Sequence, residues 1–283
     1  ARHWEGWLVC SLVLAGAVYA LGMLRLAGRA GRLGKALGFA APPAFALGLA
    51  TLAAALASPL DGLAGESLSA HMAQHMLLML AAPALIAWGR PGLASIWALP
   101  PAGRQAAGRW WRRGLAGRCL RALMRPLPAW LLASAALWFW HVPAAYRYAL
   151  AHEGAHFAEH LSFFWTSLAF WMLVLHPRQS GGRGHGVALL MLAGFALHSG
   201  LLGAMLTFSS VPWYAPQMSG RFGMSALEDQ QLAGLLMWIP MNLAHLASFA
   251  WLFAGWLDAM ETRRPPLARA LAPLQAGGPG GRP

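Results

Sequence analysis

Charge is scarce in this chain. Only 11% of its 283 residues are Asp, Glu, Lys or Arg, against about 25% in soluble globular domains. With 58% hydrophobic residues, that deficit excludes a fold whose surface is wetted all round. Cysteine is nearly absent as well. Cys10 and Cys119 are far apart and form no CxxC pair, which excludes a disulfide framework and any cysteine-based metal motif. Acidic residues number nine against 21 Lys and Arg, a net charge of +12. That excess alone would suit nucleic acid, but no nucleic-acid-binding motif or soluble module accompanies it. The basic residues sit in loops between apolar runs, where they act as topology signals. Nucleic acid is therefore excluded as a partner, and the lipid bilayer is expected in its place.

What is present is a succession of apolar runs, each near the length of about 20 residues that crosses a bilayer as a helix. Seven stretches qualify: Trp7 to Leu26, Ala36 to Ala57, Leu68 to Trp88, Pro128 to Trp140, His156 to Leu175, Val187 to Phe208, and Gln230 to Trp256. The fourth is the shortest unless it continues through Pro143 to Tyr146. The predicted fold is all-α, a polytopic membrane protein with seven transmembrane helices. One transmembrane domain spans residues 1–262, followed by a Pro-, Gly- and Ala-rich tail over 263–283 that is expected to be disordered. The first run is read as a span rather than a cleavable signal, because Arg25, Arg29, Arg32 and Lys35 follow it instead of preceding it.

Alternate loops differ sharply in charge. Of the 21 Lys and Arg, all but Arg2, Arg147 and Arg221 fall after the first, third, fifth and seventh spans. The positive-inside rule makes that set cytoplasmic, so the N-terminus is outside and the C-terminus in the cytoplasm. Asp61, Glu66, Glu153, Glu228 and Asp229 fall on the opposite, outer side. Cys10 and Cys119 then lie on opposite membrane faces, which argues against a bond between them. The segment from Arg104 to Arg125 interleaves Arg with Trp110, Trp111, Leu115, Leu120 and Leu123. It reads either as an interfacial helix along an anionic leaflet or as a solvated basic loop that enforces topology.

The histidines are patterned. The third span opens with His71 and His75, followed by Met79, with Met72 and Met76 beside them. Residues four apart share a helix face, and about 1.5 Å of rise per residue puts His75 on the order of 10 Å below the outer boundary. The fifth span also enters from outside, with His152, His156 and His160 on one stripe and Glu159 next to His160. His141 closes the outer end of the fourth span, and His198 lies near the middle of the sixth. The seventh begins at Asp229 and carries Met237, Met241 and His245, again four apart.

A lone intramembrane His is commonly a hydrogen-bonding partner between helices and a Met there is commonly packing; that reading suits His198 or His245 taken singly. The pairs His71/His75 and His156/His160 are different, since ionisable groups are costly in a membrane and mark function. Imidazole with thioether and no thiol suits copper, above all Cu(I). Zinc competes, because His156, Glu159 and His160 match the HxxEH arrangement of inverted zinc peptidases. A bis-His haem is a third option, with His198 and His245 as the ligands.

Several blocks carry a family resemblance. The run from Ser69 to Pro83 (SAHMAQHMLLMLAAP), on to Gly89, Arg90 and Pro91, resembles the signature of the polytopic, caa3-type CtaG family of cytochrome c oxidase assembly factors. The same resemblance extends to Trp140 through Pro143 with Tyr146, to His156 through Phe164 (HFAEHLSFF), to His198 through Phe208, and to Asp229 through Pro240. These blocks stand in the family's order over residues 69–255, leaving the first span, the Arg-rich loop and the tail uncovered.

The resemblance implies a multi-pass factor of the bacterial plasma membrane that helps mature the copper centres of a haem–copper oxidase. It nominates His71, His75, His141, His156, His160 and His198 as metal ligands. The spacing adds Met72, Met76, Met79, His152, Met237, Met241 and His245, with Glu159 and Asp229 as groups that orient the imidazoles. On this expectation the protein is no enzyme. It takes copper, as Cu(I), from a periplasmic donor and passes it to an oxidase subunit, with loading that weakens as falling pH protonates the histidines. The rivals are a membrane zinc hydrolase and a non-metal scaffold or accessory subunit of the oxidase.

Overall fold

The computed structural model describes residues 5–27, 38–177, 184–214 and 223–261. Arg2, Arg29, Arg32, Lys35, Arg178, Arg183, Arg221 and the expected disordered tail lie outside the described residues. Within them the chain is helical, with no strand. The elements are α1 (Glu5–Ala27), α2 (Ala41–Ala57), α3 (Pro59–Ala64), α4 (Leu68–Met76), a π turn (Leu77–Ala81), α5 (Ala82–Trp88), α6 (Pro91–Ala98), α7 (Pro101–Arg113), α8 (Leu115–Leu123), α9 (Pro126–Trp140), α10 (Pro143–Ala151), α11 (Glu153–Leu175), α12 (Gly184–Thr207) and α13 (Ala226–Glu261). Proline sets many of these starts: Pro59, Pro91, Pro101, Pro126 and Pro143 each open a helix, where the missing N–H costs nothing.

Among the described residues, five helices are long and apolar enough to cross a membrane, or six if α8 and α9, bent by 74°, form one span. The expected second span is the 17-residue α2, and the expected fourth is the 15-residue α9. Both fall short of a full bilayer crossing on their own, because prolines at 42, 43, 126 and 143 punctuate the runs.

The third expected span is continuous from Leu68 to Trp88 but not uniformly α-helical. Pro83 has no N–H to give to the carbonyl of Met79, four residues back. The chain widens there: the Ala82 N–H donates to the Leu77 carbonyl, and Trp171 of α11 donates its indole N–H to the Met79 carbonyl at 3.2 Å. A π turn advances the helix face, so the expected continuous stripe of His71, His75 and Met79 is interrupted after His75. Met72, Met76 and Met79 all belong to the buried hydrophobic core.

The packing order follows side-chain size. α12 and α13 meet at their small residues. A Cβ on Gly203 would lie 2.8 Å from the Trp238 Cβ, and one on Gly234 would lie 2.7 Å from the Thr207 backbone N, so only glycine permits this approach. α13 also packs on α4, α5 lies between α2 and α11, and α9 packs on α11. The α4–α5 span is the interior of the bundle and is mostly buried, whereas α1 is peripheral and largely exposed. α1 rests on α6, where the Arg25 guanidinium donates to the Ala98 carbonyl.

Candidate metal centre

Three helices bring their histidines to one place. His71 and His75 stand one turn apart on α4, His156 and His160 one turn apart on α11, and His141 caps the C-terminus of α9. The ring centroids of His71 and His75 are 4.3 Å apart, and those of His156 and His160 are 4.2 Å apart. Between helices, His71 lies 5.5 Å from His156, His75 lies 5.7 Å from His160, and His75 lies 6.3 Å from His141. Glu159 enters the same space, with Oε1 3.7 Å from His75 Nε2, too long for a hydrogen bond. His71, His75, His141, Glu159 and His160 are all buried, and His156 is half-buried at the rim.

The hydrogen bonds fix which nitrogen each ring presents. His71 Nδ1 lies 3.2 Å from the Ala64 carbonyl and His141 Nδ1 lies 2.7 Å from the Leu137 carbonyl. A carbonyl only accepts, so both Nδ1 atoms carry the proton and both Nε2 atoms keep a lone pair. Those Nε2 atoms, both nitrogens of His75 and Oε2 of Glu159 are buried without a hydrogen-bond partner. Buried polar atoms are normally paired. A group of them facing one another is the arrangement a cation satisfies. One potential ligand atom from each of His71, His75 and Glu159 lies within 4.8 Å of the others, a spacing that suits a shared metal ion.

The surrounding polar residues hold this arrangement rather than join it. Asp229, at the start of α13, accepts from the Leu68 N–H at 2.7 Å, the Ser69 N–H at 3.1 Å and the Ser67 hydroxyl at 2.9 Å. A carboxylate at a helix N-terminus meets orphan N–H groups and the positive end of the dipole. α13 thereby sets the height at which α4 begins, and with it His71 and His75. Gln74, between the two histidines, donates to the Ala55 carbonyl at 2.8 Å and to Asp61 Oδ1 at 2.9 Å, tying α4 to the end of α2 and to α3. Tyr214 donates its hydroxyl to the His141 carbonyl at 2.8 Å. Burial pushes the Tyr214 hydroxyl pKa up, so it remains a donor. Tyr146 stacks edge-on between His71, at 5.2 Å, and Tyr214, at 4.7 Å.

Several expected site residues lie elsewhere. Asp229 orients no imidazole; its oxygens are committed to the start of α4. His152 precedes α11 instead of continuing its stripe, is exposed, donates from Nδ1 to the Tyr148 carbonyl at 3.0 Å and stacks on the Tyr148 ring at 4.1 Å. His198 is also separate. Trp138 donates to its Nδ1 at 3.2 Å, which leaves Nε2–H to donate to the Ser134 hydroxyl at 2.9 Å. With both nitrogens engaged, His198 has no lone pair for a metal or for a haem iron. His245 stacks on Trp171 at 5.6 Å and meets Phe170 and Phe195 edge-on. Met237 and Met241 are fully buried in the core beside it in sequence.

Sequence reasoning gave no role to Gln74, Ser67, Ser69, Tyr146 or Tyr214. Gln74 had a signal, an uncharged polar residue inside an apolar run between two histidines. Tyr214 had none, because its loop is brought to the site by long-range contacts, among them Gln230, which accepts from the Trp213 N–H at 2.6 Å, and Gln231, which donates to the Ser209 carbonyl at 3.1 Å. The cluster opens sideways into a cavity of about 1540 Å³ between α1, α2 and α11, lined by Leu12, Leu49, Leu52 and Phe164 and ending at His156 and His160.

A family model described as cytochrome c oxidase caa3 assembly factor matches residues 17–259, most of the chain. No match was found among curated proteins or among solved structures.

Proposed function

Since the chain belongs to the cytochrome c oxidase caa3 assembly factor family, we propose that it carries copper, as Cu(I), for insertion into a haem–copper oxidase. Copper is here the cargo, and the protein is a metallochaperone rather than an enzyme. The observation that carries this reading is the convergence of His71, His75 and Glu159 within 4.8 Å, beside a His141 Nε2 that is buried and unpaired.

The donor set suits cargo. A closed cage of four fixed ligands holds a structural ion, whereas a transfer protein needs ligands that exchange in steps. His71 and His141 are locked in one tautomer by backbone carbonyls, so they bind without reorganising. His156 stands at the rim, against the lateral cavity, and is the ligand that can meet an incoming or departing ion first. Copper then moves from His156 and His160 to His71 and His75 and returns by the same route to a subunit of the oxidase.

The charge distribution supports a seven-span topology in which α2 and α9 are the two short spans. It supports an N-terminus outside, a C-terminus in the cytoplasm, and a histidine cluster near the outer face of a bacterial plasma membrane. A periplasmic copper donor fits that placement.

The test is metal stoichiometry of the purified protein. Copper is expected at stoichiometric level in the wild type and at background in the His71→Ala, His75→Ala double variant, with the oxidase in those cells lacking copper. Normal oxidase copper in the double variant overturns the reading and leaves a scaffold. Zinc in place of copper, with hydrolytic activity lost on Glu159→Gln, would favour the hydrolase.

A further inference from the structure

α7 and α8 form a helical hairpin outside the bundle. No residue of α7 is buried, and in α8 only Gly117 is, against the Trp110 and Trp111 backbone. α8 meets α9 at a bend of 74°, at the end of α9 opposite His141. If α9 crosses the membrane, α8 therefore runs across it rather than through it.

Each helix of the hairpin has two faces. On α8, Leu115, Cys119, Ala122 and Leu123 share one arc at helical spacing, and Arg118 and Arg121 take the other. On α7, Trp110 and Trp111 with Ala106 and Ala107 form one arc, with Arg109 and Arg112 opposite it and Arg104 and Arg113 at its two flanks. Trp110, Leu115 and Leu123 are 51%, 69% and 48% exposed, an apolar edge that no other part of the described chain covers. Between residues 67 and 152 there is no Asp or Glu at all. Among the described residues, two of these guanidinium groups meet carbonyls and rings: Arg121 donates to the Arg112 carbonyl at 3.1 Å and lies 5.7 Å over Trp111, and Arg104 lies 4.4 Å over Trp97. Arg121 Nη1 is buried with no acceptor.

An amphipathic pair with an uncovered apolar edge, cationic flanks and no internal counter-charge is complementary to one surface above others, a bilayer rich in phosphate headgroups. We propose that α7 and α8 are an interfacial anchor that binds anionic phospholipid, Trp110, Leu115 and Leu123 entering the acyl boundary while the arginines hold headgroup phosphates.

Cys119 supplies the probe, since it is exposed on the apolar arc and Cys10 is the only other cysteine. A nitroxide is attached at Cys119 in the full chain carrying Cys10→Ala, reconstituted in nanodiscs of phosphatidylcholine with or without phosphatidylglycerol. The label is expected to be accessible to oxygen and shielded from a water-soluble nickel chelate, and more so with phosphatidylglycerol. Replacing Arg109, Arg112, Arg113 and Arg118 with Gln should abolish the lipid dependence and lower retention of phosphatidylglycerol by at least about tenfold, given the surface attraction of each basic residue. Replacing the same four with Lys should preserve both. The proposal fails if the label stays accessible to the chelate on anionic bilayers, or if the Gln variant behaves as wild type. It also fails if inorganic phosphate alone reproduces the shift, or if a short RNA binds the hairpin in zwitterionic discs and leaves the label in water. Copper content is measured on the same samples, so loss of the metal site is read separately from loss of the anchor.

Discussion

Two groups of histidine lie inside this bundle, and they differ in what their nitrogens do. In the outer group, His71 and His141 each spend Nδ1 on a backbone carbonyl and leave Nε2 bare, and His75 leaves both nitrogens bare beside Glu159. In the inner group, His198 spends both nitrogens on Trp138 and Ser134, and His245, with a bare Nδ1, is packed among the rings of Trp171, Phe170 and Phe195. The residue type and the apolar surroundings are the same. Hydrogen-bond saturation separates His198, which joins helices, from the histidines that can take a ligand, whereas His245, whose Nδ1 is also bare, is set apart by its aromatic packing.

The largest expected effect follows directly. The His71→Ala, His75→Ala variant should lose Cu(I) affinity by on the order of 100-fold or more, measured by competition with a chromogenic chelator, because two direct ligands go where even an outer-shell partner is worth 10–100-fold. The matching His198→Ala, His245→Ala variant should keep wild-type affinity and lose only stability. Equal copper losses in the two would erase the distinction between the groups.

Asp229 comes next. It accepts three hydrogen bonds at the start of α4 while itself buried. Asp229→Ala strands the N–H groups of Leu68 and Ser69 and should cost about 3 kcal/mol in a denaturation measurement in detergent. It should also weaken copper binding, since α4 loses the contact that sets its height. An unchanged copper affinity would mean that Gln74 alone positions the two histidines.

Glu159→Gln is smaller and more pointed. It keeps the shape, so stability should hold, while Cu(I) affinity drops by about tenfold if the carboxylate touches the ion or orients His75. An affinity unchanged within error would remove Glu159 from the site and leave an all-imidazole centre.

Much of the fold was legible because apolar runs and charged loops alternate, and the long helices α1, α11, α12 and α13 lie where those runs predict. The π turn at Leu77–Ala81 was not legible, because the carbonyl freed by Pro83 is satisfied by Trp171 from another helix. The outer pairs could be read from four-residue spacing. Their separation from His198 could not, since spacing alone does not tell that Ser134 and Trp138 of α9 face that ring. Asp229 shows the same limit: an acid at the head of a span is visible, but its partners 160 to 162 residues away are not.

The finest comparison uses one hydrogen bond from each region. Tyr214→Phe removes the donor to the His141 carbonyl, and Trp138→Phe removes the donor to His198 Nδ1. Each should cost about 1 kcal/mol of stability, the net worth of one such bond. Only Tyr214→Phe should lower copper affinity, by a few-fold, because it loosens the turn that holds His141. The Tyr214 contribution also carries a pH signature. Its folded pKa is raised by burial, so its stabilisation is complete below the unfolded tyrosine value of about 10 and is lost as pH rises beyond it. The stability difference between wild type and Tyr214→Phe should therefore be flat through neutral pH and shrink in alkali. Equal copper affinities in the two single variants would show that His141 is held well enough by Leu137 alone, and would narrow the site to α4 and α11.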